Sequence, residues 1–347
     1  MINVGFITEP AGAHIEAYLG SIARCRNIAQ VAVADESGQV FDKARSALAG
    51  RFPNLRTFRD PGEMLRTVRP QLAVVTLEPD RSPPVISAAL QADCHVLSEK
   101  PACVRAEDFE PLVRIADSRK RHLMLALANR SIPQVHKARE VVQSGQLGTL
   151  YAAEFYTIAD QSRLKRPEYQ HSWRASKAKA GGGYLIWLGI HWIDLVEYIT
   201  GDRIREVCGF ARNVGGQPIE VEDAAVLAVL FEKGMVGTHH SGYYLDRGYQ
   251  SLIAIWGSQG WLRGPFDVTQ NVPLEWYSTR PGSPAGVQTF SETINAEDGY
   301  LPFVQAAVDA ASGAAPPPIT SAEGLHVLKV VFGLYRAAER GSVQKIL

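Results

Sequence analysis

Short apolar runs alternate with longer amphipathic segments through the first 128 residues. The runs are Ile2 to Ile7, Gln30 to Ala34, Arg56 to Phe58, Leu72 to Leu77, His95 to Ser98 and Leu123 to Ala128, and the segments between them fall around 12–24, 38–49, 60–68, 81–92 and 106–119. Runs of that length suit strands buried on both faces, and each intervening segment is long enough to cross back over a sheet as a helix. The pattern predicts a Rossmann-like, doubly wound parallel sheet over 1–128. Beyond it the period changes. A helix over about 132–144 ends at a turn marked by Gly145 and Gly148, and strands follow near 150–158, 203–213, 222–231, 235–242, 250–256 and 260–264, with one strong helix over 184–200. The reading for 129–347 is an α+β domain with an open, mostly antiparallel sheet, giving an α/β fold class for the chain. The run Gly313 to Pro318 links helices over about 301–312 and 321–340, since consecutive prolines cannot continue a helix.

Composition narrows the partners. The 347 residues carry 36 Lys+Arg against 36 Asp+Glu, so no chain-wide basic field exists to draw nucleic acid or an anionic membrane, and a small-molecule ligand is the default. A hydrophobic fraction of 46% with 21% charged residues excludes a disordered or fibrous chain. Cys25, Cys94, Cys103 and Cys208 form no C-x-x-C pair, which suits reduced, mostly buried thiols and predicts no metal site. The apolar start lacks a basic stretch and is interrupted by Glu9, and the richest later run, Tyr184 to Ile190, is far below the roughly 20 residues that span a bilayer. A cytoplasmic protein is expected.

Four places hold candidate chemistry. The first strand runs into Thr8-Glu9-Pro10-Ala11-Gly12, where a dinucleotide fold places a glycine turn opening on a helix N-terminus; Gly12 alone meets that need, and a plain structural turn explains it equally. Asp35 closes the second strand, where a carboxylate accepts from an adenosine ribose diol and repels a 2′-phosphate, so NAD is expected over NADP; the other reading is a cap on the following helix. Glu99, Lys100 and Pro101 emerge at a strand's carboxyl end, where ligands bind in open α/β sheets, and an ammonium there can polarise a substrate hydroxyl. Finally, Gly181 to Gly183 precede Trp187, His191 and Asp194, spaced i, i+4 and i+7 and so on one helical face. His191 is the candidate proton carrier, with Asp194 the nearest carboxylate able to orient it; a packing histidine is the alternative.

Together these residues resemble the Gfo/Idh/MocA family of NAD(P)-dependent oxidoreductases over essentially the whole chain. Glu99-Lys100-Pro101 is similar to its E-K-P, Asn129-Arg130 to its N-R, and Gly145-Gln146-Leu147-Gly148 to its G-x-L-G turn. Trp173-Arg174, Gly181 to Gly183, Gly189, His191 and Asp194 are similar to its W-R and G-G-G-x-x-x-D-x-G-x-H-x-x-D. The resemblance implies hydride transfer between a nicotinamide and a carbinol carbon of a sugar, cyclitol or related polyol, and a homodimer or homotetramer built on the open sheet. By position, Lys100 would hold the reacting hydroxyl and His191 act as acid/base; Asp194 and Arg174 would bind substrate, and Gly12, Asp35 and Glu99 to Pro101 would line the cofactor. The chain departs from the family at Thr8 and Pro10, which replace glycines, at Glu78-Pro79-Asp80 in place of T-P-N, and at Trp187, where the family carries an aspartate. An indole cannot take a proton but can stack on a sugar ring. Those departures leave open a cofactor-retaining non-redox enzyme, working by elimination or glycoside cleavage through transient oxidation, and a non-catalytic sugar- or nucleotide-binding oligomer.

Overall fold

The computed structural model describes residues 1–267 and 272–346, and divides into two compact units. The first comprises 1–128, 178–181 and 297–325; the second comprises 129–177, 182–296 and 326–347. Residues 178–181 and 297–325, which sequence alone places with the second domain, therefore belong to the first unit.

In the first unit the alternating pattern gives β1 (Ile2–Thr8), α1 (Ile15–Arg24), β2 (Ile28–Ala34), α2 (Phe41–Leu48), β3 (Arg56–Phe58), α3 (Pro61–Val68), β4 (Leu72–Thr76), α4 (Ser82–Gln91), β5 (His95–Ser98), α5 (Ala106–Ser118) and β6 (Leu123–Leu125). All six strands are parallel in the order β3-β2-β1-β4-β5-β6. The order reverses between β1 and β4, the switch point where loops diverge and leave a crevice at the carboxyl ends. Register aligns those ends: Ile7 lies beside Ala34, Thr8 beside Thr76 and Val75 beside Ser98. The central strands are buried over most of their length, with Phe6, Val33, Val74 and Leu97 at 0% exposure.

The second unit opens with α6 (Pro133–Gln143) and β7 (Leu150–Asp160), followed by the short helices α7 (Pro167–Gln170) and, spanning the unit boundary, α8 (Lys177–Ala180). A π-helical turn, Leu185–Gly189, runs directly into α9 (Ile190–Thr200). Strands β8 (Ile204–Arg212), β9 (Ala224–Phe231), β10 (Val236–Leu245), β11 (Tyr249–Gly257), β12 (Gly260–Gly264), β13 (Leu274–Ser278), β14 (Gln288–Phe290) and β15 (Gln344–Lys345) join β7 in a nine-stranded sheet ordered β14-β13-β12-β11-β7-β10-β9-β8-β15. Only β7 and β10 pair in parallel, so the sheet is open and mostly antiparallel. Strands β13 to β15 are additional to those read from the pattern. Helix α10 (Leu301–Ala311) packs on α1, tied by the Arg26 amide to Gln305 Oε1 at 2.7 Å, which explains its place in the first unit. Helix α11 (Ser321–Arg340) closes the chain before β15. Among the described residues no helix is long and apolar enough to cross a membrane.

Candidate functional site

The loop after β1 is folded hard against the end of β4. Gly12 N donates to Glu9 O at 2.9 Å, and a Cβ on Gly12 would stand 2.4 Å from the Thr76 carbonyl, so only glycine fits. Thr76 Oγ1 donates to Ala13 O at 2.6 Å, fixing the turn that opens onto α1. Glu9 does not project a bare charge. Its carboxylate accepts from the Glu78 amide and pairs with Arg81, while burial pushes its carboxyl up against those two influences. Asp35 is 1% exposed and accepts from Ser37 N at 3.0 Å, Ser37 Oγ at 2.9 Å and Val40 N at 2.9 Å. The Ser37 hydroxyl also reaches the second oxygen at 3.1 Å, so Asp35 closes the turn into α2. A cleft lined by Ile7 to Pro10, Asp35 to Ser37, Leu77, Arg81 and Val85 mixes apolar and acidic side chains. Such a cleft, beside a glycine turn and a ten-residue helix start, fits the adenosine end of a dinucleotide.

At the end of β5, Glu99 and Lys100 are 3% and 2% exposed. The Lys100 ammonium lies 3.8 Å from Glu99 Oε1. Tyr18 donates to Glu99 Oε2 at 2.5 Å, and His14 Nδ1 meets Oε1 at 3.2 Å. Burial raises the Glu99 carboxyl, but His14, Lys100 and Tyr18 outweigh it and hold the group below its ordinary range. The Tyr300 ring packs against Tyr18 and His14, with centroids at 5.2 and 5.1 Å. Sequence reading found Glu99 and Lys100 but missed this support. His14 and Tyr18, spaced i, i+4 at the start of α1, were its one visible trace. The Lys100–Pro101 peptide is cis.

In the second unit, Gly182 and Gly183 admit neighbours that a side chain would exclude: a Cβ would fall 2.2 Å from the Tyr335 hydroxyl and 1.9 Å from Glu222 O. Glu222, which no motif or spacing singles out, caps this turn. Its buried carboxylate accepts from Gly183 N at 2.7 Å, Leu185 N at 3.0 Å and the Tyr335 hydroxyl at 2.9 Å. Burial nevertheless leaves its carboxyl raised.

The segment carrying Trp187, His191 and Asp194 is not one uniform α-helix: Trp187 lies in the π turn, and His191 and Asp194 lie in α9. Gly189 closes that turn over β10, where a Cβ would stand 3.1 Å from His239 Nε2 and 3.2 Å from Ser241 Oγ. Asp194, expected to bind substrate or orient His191, is paired with Arg130. The guanidinium meets it at 2.6 to 3.0 Å, with both side chains almost fully buried. Arg130, noted only within the Asn129-Arg130 motif, is therefore the partner that spacing alone could not identify. Trp187 packs edge-on to Trp173 at 5.3 Å, and the Arg174 guanidinium lies over both rings at 4.7 and 4.5 Å. His191 is 7% exposed. Among the described residues no three His, Cys, Asp or Glu side chains gather in a metal-binding group.

Comparison with known proteins gives this geometry a context. Residues 4–127 match the model of an oxidoreductase family with an NAD-binding Rossmann fold, and residues 135–263 match the GFO/IDH/MocA C-terminal domain. The chain is 24% identical to a 1,5-anhydro-D-fructose reductase of Ensifer adhaerens, over 75% of this chain and 74% of that protein. It is 25% identical to a D-glucoside 3-dehydrogenase of Escherichia coli K12, over 85% of each. An oxidoreductase domain protein from Kribbella flavida superposes with a TM-score of 0.87 at 26% identity, covering 100% of both chains.

Proposed function

Because this chain belongs to the Gfo/Idh/MocA family of oxidoreductases, we propose that it is an NAD-preferring dehydrogenase taking a hydride from a carbinol carbon of a sugar, cyclitol or related polyol. The observation that carries this reading is Lys100, a buried ammonium at the carboxyl end of β5, held beside a Glu99 carboxylate that His14 and Tyr18 keep ionised. A buried cation so placed stabilises negative charge developing on a bound oxygen. The names of the anhydrofructose reductase and the glucoside dehydrogenase support the sugar class.

When bound, the nicotinamide supplies the hydride acceptor. The chain's own residues manage the proton and the charge: Lys100 stabilises the alkoxide, and His191 Nε2 or Nδ1 takes the hydroxyl proton. Arg174 and Trp187 bind the sugar, and Gly12, Asp35, Glu99 and Pro101 shape the cofactor's place. Asp194, whose carboxylate is oriented by Arg130, joins Arg174 and Trp187 as a substrate contact. Free cysteines support a reducing, cytoplasmic setting.

Trp187, standing where the family has an aspartate, favours a second reading: a cofactor-retaining non-redox enzyme or a non-catalytic binder. One experiment separates them. NADH fluorescence first reports binding, and NAD reduction is then followed with a panel of polyols and glycosides. Reduction with any polyol supports the dehydrogenase. Glycoside cleavage without net reduction points to the non-redox enzyme, and binding with neither reaction to the binder.

A further inference from the structure

Arg81 sits between β4 and α4 and is the one cation among the described residues that line the cleft. Two carboxylates from two different loops hold it. Glu9, from the loop after β1, is buried, fixed by the Glu78 amide, and pairs with one guanidinium nitrogen. Glu36, from the loop after β2, lies 2.9 Å from another, and its side chain is 68% exposed. One arm of this clamp is rigid and the other is loose. Asp35 adds a third carboxylate a residue away, so the lining carries three negative charges against one positive.

Phosphate monoesters are read by guanidinium groups, which offer a planar fork of donors matching the oxygens. Here the fork is occupied. A ribose carrying free hydroxyls meets acceptors in this cleft, whereas a 2′-phosphate dianion meets like charge and a cation already spoken for.

We propose that Arg81 is the residue through which this protein distinguishes a free ribose 2′-hydroxyl from a 2′-phosphate, with Glu36 masking a cation that would otherwise read the phosphate. The inference rests on the NAD reading of the cleft. It assigns the discrimination to a residue after β4, in addition to the acid at the end of β2.

The test is calorimetric titration of the full-length protein with NAD, NADP and adenosine 2′,5′-bisphosphate. It uses the parent, Glu36→Ser, Arg81→Met, and the double variant, each checked for folding by circular dichroism. The parent should bind NAD at least tenfold more tightly than NADP. Glu36→Ser should tighten NADP and the bisphosphate by about tenfold or more while moving NAD less than threefold, and that gain should shrink as salt is raised from 50 to 300 mM, because it is an exposed ion pair. In the double variant the gain should vanish. If it persists there, Glu36 acts by repulsion alone and the role of Arg81 is refuted; the same holds if Glu36→Ser brings no gain. Should the double variant not fold, Glu36→Ser/Arg81→Lys replaces it, and loss of most of the gain is expected because an ammonium lacks the bidentate fork. A parent that binds neither dinucleotide overturns the NAD reading itself, and the proposal with it.

Discussion

At the scale of the residue, the two groups proposed for the chemistry, Lys100 and His191, stand apart from the carboxylate of Asp194. Lys100 and His191 are assigned to the reacting oxygen, so Lys100→Ala and His191→Ala should each lower kcat by about 10²-fold or more, the scale of losing a positioned acid/base or electrostatic group. The check is steady-state kinetics with the best polyol from the panel; a loss of less than about threefold for either would remove that residue from the chemistry. Trp187→Asp restores the family's carboxylate at the price of the packed pair with Trp173 and Arg174. If the parent is redox-active, this change should raise KM. Asp194 behaves otherwise. Its carboxylate neutralises Arg130, which is 5% exposed, and Asp194→Asn leaves that guanidinium buried against a neutral amide. Breaking one half of a buried pair typically costs about 3–5 kcal/mol. Urea unfolding of Asp194→Asn should show a loss of that order, and a loss under 1 kcal/mol would contradict the structural role.

At the scale of the element, the π turn and α9 lie over β10, and His239 is the residue that feels it. The side chain is fully buried, with its ring 4.9 Å from that of Phe155, and burial pushes its pKa down to about 3. The unfolded chain takes up a proton below the usual histidine value of about 6.5, whereas the folded chain refuses it until about pH 3. Stability therefore falls as pH drops through that window, by about 1 kcal/mol per pH unit from this one group. His239→Phe should flatten the pH dependence: between pH 7 and pH 5 the parent should lose about 2 kcal/mol more than the variant in urea unfolding. Equal losses would show that His239 is not held neutral. None of this was legible from the chain, and the reason is physical. The alternation of apolar runs reports which faces are buried, so the parallel sheet of the first unit and the position of Lys100 after a strand could be read from it. It is silent on which distant polar groups meet. The partners His14, Tyr18 and Tyr300 of the Glu99 site, Arg130 for Asp194, and Glu222 with Tyr335 under the glycine turn come from separated segments with no shared periodicity. The π turn was hidden too, because an apolar run such as Tyr184 to Ile190 satisfies π and α winding alike.

At the scale of the whole molecule, the question is what covers the second sheet. One face is filled: Phe155, Leu227, Ile253 and Leu262 are all at most 1% exposed. The other is not. Register places Phe210 opposite Val226 across β8 and β9, and Leu230, Val236, Ala152, Trp256 and Trp261 opposite one another across β9, β10, β7, β11 and β12. Directly opposed residues in a ladder point to the same side. On that side Phe210 is 70% exposed, Val236 54%, Val226 45% and Trp256 41%, in two rows separated by the row of Cys208, Ala228, Thr238 and Glu154. Beside them, a cavity of about 480 Å³ is lined by Cys208, Phe210, Val226, Thr238 and the end of α11 at Ala337, with Gly341 and Val343 beyond. A face with exposed apolar rows and an adjacent recess can pack against a copy of itself about a twofold axis, each copy's protruding side chains entering the other's recess. Light scattering at micromolar concentration should then give a dimer or tetramer mass. Phe210→Lys with Val226→Lys should shift that mass downward without altering the circular dichroism spectrum, because both side chains are exposed within the single chain. A parent that stays strictly monomeric across a hundredfold dilution range, or a double variant that keeps the parent's mass, would show that this face is covered by something other than a second copy.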